Sequence, residues 1–348
     1  MQPDDLSGYL TPSDPQMHPD GSRAAFVVTR MDLEDDCYHR AIWIWDGNEA
    51  RPFTSGPGDT YPRWSPDGCH LAFLRGDAEA EPQLAVMAAD GGEARLMTSF
   101  PLGASEVAWS PAGDRLAVVA ATWTEEWAGH DDEERARRPR RVSHLRYRFD
   151  DRGWLHDRRS HVYVVDPFAD GVDPVAVTSD EQFSESGITW HPSGDRIAFL
   201  SARHPERHVD AAVGVWEVSL KGGELRRLAA PGMWALVAYS PRGEAHAVGD
   251  PDVWSFPSLS SLYRISAVEP LNVTGHLDRS LLSLAPRIVP AGPQWTDTGF
   301  FTLVEHEGGT RLVAFESGEG AAMAGGPRAI SGATVRADGS AAVMTVAS

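Results

Sequence analysis

One sentence of sequence recurs along this chain, and the recurrence limits the fold more than any other feature. It reads "RWSPDGCHLAFLRG" from Arg63 to Gly76, "VAWSPAGDRLAVVA" from Val107 to Ala120, and "ITWHPSGDRIAFLS" from Ile188 to Ser201. Its centre, Ser65–Gly68, has the composition of a type I turn: Ser suits the first position, Pro presets φ at the second, and Gly suits the last. A short strand ending in Trp64 precedes the turn. After it, Leu71 and Phe73 face one side and Ala72 and Leu74 the other. Both sides are apolar, as expected of a strand buried between packed sheets. "QLAVMAADGGEARLMT" then reads as strand, Asp-Gly-Gly turn and strand. Each unit therefore offers four short antiparallel strands.

The anchors of successive units are Met17, Trp64, Trp109, Trp190, Tyr239, Trp295 and Val335. Trp64 and Trp109 are 45 residues apart, and the steps after Trp190 are 49, 56 and 40 residues. Four strands repeating every 40–50 residues or so is the pattern of a β-propeller, in which each blade buries its faces against its neighbours. The even spacing sets aside an irregular β-sandwich. The expected fold is all-β: a seven-bladed propeller of four-stranded antiparallel blades spanning residues 1–348, with an incomplete last blade. The pattern reaches Ser348 after two strands of the seventh unit. Two expectations are open there: the first sixteen residues supply a strand, or the natural chain continues, the latter being favoured because "VMTVAS" lies within a strand pattern. An unfinished blade would leave an exposed edge and predicts self-association or marginal stability, unless the N-terminal segment covers that edge.

The step from Trp109 to Trp190 is 81 residues, nearly twice the others. The surplus lies at about 124–159, "TEEWAGHDDEERARRPRRVSHLRYRFDDRGWLHDRR", and carries ten arginines, nine acidic residues and the aromatics Trp127, Tyr147, Phe149 and Trp154. Asp131–Arg138 has helical character that Pro139 stops. "HLRYRFDDRGW" reads as strand, turn, strand. Long connections of this kind are usually functional or disordered. Arg140, Arg141, Arg146, Tyr147, Arg148 and Trp154 are the candidate substrate-binding residues, because guanidinium forks grip carboxylates or peptide carbonyls. The bland reading is a solvated excursion whose opposite charges pair with one another.

Chemistry of the chain's own is not visible. There is no G-x-S-x-G, no phosphate-binding G-x-x-x-x-G-K-[ST] and no H-E-x-x-H. His18 and His191 stand at the first position of the repeat turn and read as turn residues, as do Asp20, Asp67, Asp114, Asp195 and Asp338. His204 and His208 read as a polar loop. No catalytic residue, metal ligand or cofactor is expected. The net charge of −19 argues against nucleic acid and anionic membranes as partners. No apolar run approaches the ~18–20 residues of a membrane span. Cys37 and Cys69 read as reduced thiols of a cytoplasmic protein.

Taken together, "DPQMHPDGSRAAFVVTRMD", "RWSPDGCHLAFLR", "ADGGEARLMT", "VAWSPAGDRLAVV" and "RYRFDDRGWLHDRRSHVYVVD" resemble the propeller domain of the prolyl oligopeptidase family of serine peptidases, closest to its acylaminoacyl-peptidase and dipeptidyl-peptidase-like branch. The resemblance covers essentially the whole chain. It implies a propeller that caps an α/β-hydrolase domain, which follows in sequence and carries Ser, Asp and His. The propeller would gate access and bind short peptides cut near their N-terminus. The departure is that no hydrolase domain is present, so no triad residue is carried over and this chain alone is expected to be inactive. Glu125–Glu126 does not match the amine-binding glutamate motif of some members. Expected partners are a short peptide and the hydrolase domain of the parent chain. The alternatives are a TolB-like propeller acting as a protein-interaction module and a propeller enzyme with its site in the central channel.

Overall fold

The computed structural model describes residues 3–77, 80–142, 145–150, 153–169, 171, 173–255, 258–266, 269–282, 292–316, 319–324 and 329–347. Two short α-helices, Glu125–Ala128 and Asp132–Arg137, and two 3-10 turns accompany an otherwise all-β architecture. The first sheet holds eight strands, two meanders joined by a parallel bridge between Arg40 and Gly58. Four four-stranded sheets follow in chain order, then a two-stranded hairpin of Ala329–Val335 and Ala342–Ala347. The strands that open these units are Leu10–Met17, Gly58–Trp64, Ala104–Trp109, Glu185–Trp190, Leu236–Tyr239, Gln294–Trp295 and Ala329–Val335. Each ends on the anchor residue read from the repeat. Opening strands of consecutive units approach one another through the first five units, and Leu10–Met17 also packs on Ala329–Val335, which brings the last hairpin against the first unit.

The core confirms why the unit is repeated. Leu71 and Phe73 join Ile42 and Ile44 of the first unit, whereas Ala72 and Leu74 join Val107 and Leu116 of the third. A single strand thus serves two cores, one per face. The same holds onward: Ala117 and Val162 meet Ile197 and Phe199, Leu200 and Val215 meet Val237 and Ala247, Leu262 meets Phe300 and Phe315, and Leu303 and Leu312 meet Ile330 and Ala333. At about 25 cal/mol per Å2 of apolar surface, this shared burial is the main term holding unit to unit.

The turn behaves as its sequence demands. Gly68 N–H donates to Ser65 O at 2.8 Å, and Gly68 sits at φ +72°, where a side chain is strained. Ser65 Oγ donates to Asp67 Oδ1 and Cys69 N–H donates to the same oxygen at 3.0 Å, so Asp67 is a turn former, its carboxyl held below the ordinary value chiefly by Ser65. The turn histidines do more than their position suggested. His18 is buried, its Nε2 lies 2.9 Å from Gly68 O, and its ring meets Trp64 edge-on at 4.9 Å, so it clips the first turn to the second. His191 packs on Tyr239 in the same way, at 4.8 Å.

Residues 10–17 pair with Ala24–Asp32 and so build the first unit; they are not part of the 329–347 hairpin sheet. Cys37 and Cys69 are free thiols.

Candidate functional site

The long insertion leaves the third unit between Leu116–Trp123 and Arg158–Val165. These strands pair in continuous register from Leu116↔Val165 to Trp123↔Arg158. The insertion is therefore the extended tip of a regular hairpin, rooted on a buried strand pair. Its helix begins at Asp131, whose side chain accepts from Glu134 N–H while the Glu134 side chain accepts from Asp131 N–H, and it ends before Pro139. The ribbon follows, with Arg148 opposite Trp154 and Phe149 opposite Gly153. The helix and the two ribbon strands were legible in the sequence; His144, Asp151 and Arg152 of the quoted ribbon segment, and with them its turn, lie outside the described residues.

The arginines and tryptophans alternate in a ladder. The Arg140 guanidinium lies 4.5 Å from the Trp127 ring and 4.9 Å from the Trp154 ring. Arg138 covers Trp127 at 5.3 Å, and Arg148 covers Trp154 at 5.7 Å. Beneath, Arg135 and Arg158 share the Trp123 ring at 4.3 and 4.9 Å. Cation–π pairs contribute roughly 0.5–1 kcal/mol at exposed sites and about 2 kcal/mol when desolvated. The ladder is locked by Asp157, fully buried, which accepts from Arg140 at 3.0 Å and from Arg158 Nε at 2.9 Å. Arg159 donates to the carbonyls of Leu155 and Glu181, and burial pulls its pKa down.

The six candidate residues accordingly divide. Arg140 and the half-buried Trp154 are structural members of the ladder. Arg148, although it covers Trp154, is exposed, as are Arg141, Arg146 and Tyr147, and the same segment exposes Leu145 at 74% and Phe149 at 49%. Leu145 N–H donates to His208 O at 3.3 Å, so this segment lies over the fourth unit. Arg203 and Arg207 of that unit both cover Phe183, at 4.6 and 5.1 Å. Beneath, Glu185 is fully buried and takes Arg203 at 2.6 Å, Thr178 Oγ1 at 2.8 Å and His161 at 2.9 Å. His204 is paired with Asp210 at 2.9 Å, which agrees with a polar loop.

The carboxylates of the opening strands are also committed. Asp14 pairs with Arg63 at 2.9 Å, and Asp59 with Arg75 at 2.8 Å. Glu106 accepts the N–H groups of Gly187 and Ile188 at 2.9 and 3.1 Å. Among the described residues these side chains are spent on joining strands and units. Among the described residues no group of three or more His, Cys, Asp or Glu is placed to hold a metal ion.

What the sequence did not disclose is the use of the anchor indoles. Trp64 Nε1–H donates to Gln16 O at 3.1 Å, Trp109 to Arg63 O at 3.0 Å, and Trp190 to Ala108 O at 3.0 Å. In each case the acceptor is the residue just before the preceding anchor. The recurrence of Trp, rather than of any large apolar residue, was the available signal.

These features define a β-propeller with an arginine-rich insertion rooted in its third unit. Comparison with known proteins places that class more closely. No family model matches the chain. It is 36% identical over 169 residues to the uncharacterized peptidase YuxL of Bacillus subtilis (strain 168), covering 47% of this chain and 25% of that protein. It superposes on the acylaminoacyl peptidase of Pyrococcus horikoshii with a TM-score of 0.74 at 18% identity, over 95% of this chain and 48% of that one. On the β-propeller domain of the Trilobed protease from Pyrococcus furiosus the TM-score is 0.64 at 17% identity, over 94% of this chain and 87% of that one. The fold is thus that of peptidase propeller domains, as the resemblance in sequence implied. The chain spans about half the length of the acylaminoacyl peptidase and a quarter of YuxL. Among the described residues no helix is long and apolar enough to cross a membrane.

Proposed function

We propose that this chain is the non-catalytic propeller of a serine peptidase of the prolyl oligopeptidase family. In this reading the hairpin Ala329–Val335/Ala342–Ala347 opens a seventh blade, and a hydrolase domain of the parent protein performs peptide-bond cleavage. The propeller admits and binds short peptides. The observation that carries the binding role is the exposure of Arg141, Arg146, Tyr147 and Arg148 on an insertion that is tied down by the Arg–Trp ladder. A preorganised guanidinium and aromatic surface binds extended peptides at little ordering cost. The likeness to peptidase propellers supports the same role.

The test is anisotropy of a fluorescein-labelled tetrapeptide with a free C-terminal carboxylate, titrated with the purified chain. Saturable binding that weakens about tenfold in Arg146→Ala/Arg148→Ala, a loss matching charged hydrogen bonds of ~1.5 kcal/mol, is expected. Unchanged binding in that variant refutes the assigned residues. Turnover of an acyl-aminoacyl p-nitroanilide by the chain alone refutes the non-catalytic role.

A further inference from the structure

The anchor rule breaks at the junction of the fourth and fifth units, and a cavity lies where it breaks. The fifth anchor is Tyr239. Its hydroxyl donates to Glu217 Oε2, a side chain of the fourth unit, rather than to the main-chain carbonyl the indoles use. Beside it opens a cleft of about 760 Å3, whose lining includes Arg196, Arg226, Arg227 and Arg264 with Glu217 and Glu244. Leu228, Ala229 and Ile265 line its apolar part.

The charges do not balance. Glu217, nearly buried, takes Arg226 at 2.7 Å, Arg196 at 3.3 Å and the Tyr239 hydroxyl. Burial works against its charge, but these hydrogen bonds win and its carboxyl is held below the ordinary value. Glu244 takes Arg264 at 3.3 Å. Arg227, exposed, makes no ion pair among the described residues. Arg196 also takes Asp195 at 3.3 Å, so four guanidinium groups meet three carboxylates and Arg227 is left over, in a chain whose net charge is −19. An excess of fixed positive charge against that background attracts anions, and guanidinium forks match a carboxylate in shape.

We propose that this cleft between the fourth and fifth units is a second ligand site, for a carboxylate carried on a small aliphatic body. The head sits among Arg226, Arg227 and Arg264, and the body lies against Leu228, Ala229 and Ile265. The site is built by other units than the insertion, so it stands or falls apart from the peptide-binding residues. The carboxylate belongs either to a free aliphatic acid or to the C-terminal residue of a peptide.

Calorimetric titration of the purified chain with 4-methylvalerate, its amide and the tripeptide Ala-Ala-Leu tests this. Saturable millimolar binding of either carboxylate is expected, with the amide at least about tenfold weaker. Arg227→Ala and Arg264→Ala are both exposed changes and should each weaken binding about tenfold, while Arg137→Ala in the insertion leaves it unchanged. Tighter binding of Ala-Ala-Leu marks a peptide C-terminus, and tighter binding of 4-methylvalerate a free acid. Equal binding of acid and amide, unchanged binding in Arg227→Ala and Arg264→Ala, or no heat from either carboxylate overturns the proposal. Loss of tetrapeptide binding in Arg146→Ala/Arg148→Ala with this titration intact separates the two sites.

Discussion

Trp190→Phe isolates what an anchor indole contributes. Trp190 is 7% exposed, packs against Ile197 and Phe199, and donates to Ala108 O across the third and fourth units at 3.0 Å. Phenylalanine keeps most of the apolar contact and removes the donor. Leaving that carbonyl without its partner costs about 1–2 kcal/mol. Trimming indole to phenyl leaves a small void worth about another 1 kcal/mol at ~24 cal/mol per Å3. The expected loss is about 2–3 kcal/mol. Trp295→Phe is the matched comparison. That indole also packs between units, 4.7 Å from His246 and 5.3 Å from Phe300, yet its buried Nε1–H has no hydrogen-bond partner among the described residues. Here the same exchange costs only the packing part, about 1 kcal/mol, and relieves an unsatisfied donor. Guanidinium denaturation of the two variants beside the parent reads the difference directly, with calorimetry as a second probe. Trp190→Phe should lower the midpoint clearly more than Trp295→Phe. Equal losses, or a larger loss at Trp295, would refute the view that the indole hydrogen bond, rather than ring size, explains the recurring tryptophan.

Two further outcomes follow from charge and burial. Arg140→Ala empties the slot between Trp127 and Trp154 and leaves Asp157 with Arg158 alone; a local loss of about 1–3 kcal/mol should loosen the insertion. Trypsin should then cleave after Arg141 and Arg146 several-fold faster than in Arg137→Ala, and equal cleavage rates would show that the ladder does not stiffen this segment. Acidification tests buried His246 and half-buried His191. His246 is held below the ordinary value of 6.5 by burial first, and His191 by burial and then by Arg196. The unfolded chain therefore binds protons near pH 6.5 that the folded chain resists. Their contribution is complete above that pH and is lost as pH falls through it towards the folded values. The melting temperature should drop between about pH 7 and 5, and His246→Gln should make that drop shallower; an unchanged slope would remove His246 from the account.

Much of this molecule is local and therefore readable from the chain. The Ser-Pro-Asp-Gly turn, the opposed faces of Leu71/Phe73 and Ala72/Leu74, the helix that starts at Asp131 and the ribbon ending at Trp154 all depend on neighbours in sequence. So does the period, since Met17 to Val335 are the ends of the opening strands in the structure. The propeller follows from those features, because a strand apolar on both faces needs a neighbour on each. Partnership across units is another matter. Sequence grouped Arg140 with Arg141, Arg146, Tyr147, Arg148 and Trp154, all of the same chemistry. Only the tertiary structure separates the guanidinium clamped by Asp157 from those left facing solvent. Likewise Tyr239 reads as one more anchor. That its hydroxyl reaches Glu217, 22 positions away, beside a cleft walled by four arginines depends on residues from three separate strands. Periodicity and turn chemistry act over a few residues and leave their mark in order of sequence. Ion pairs, ring stacking and cavities depend on distances between segments, and those exist only once the blades have been set side by side.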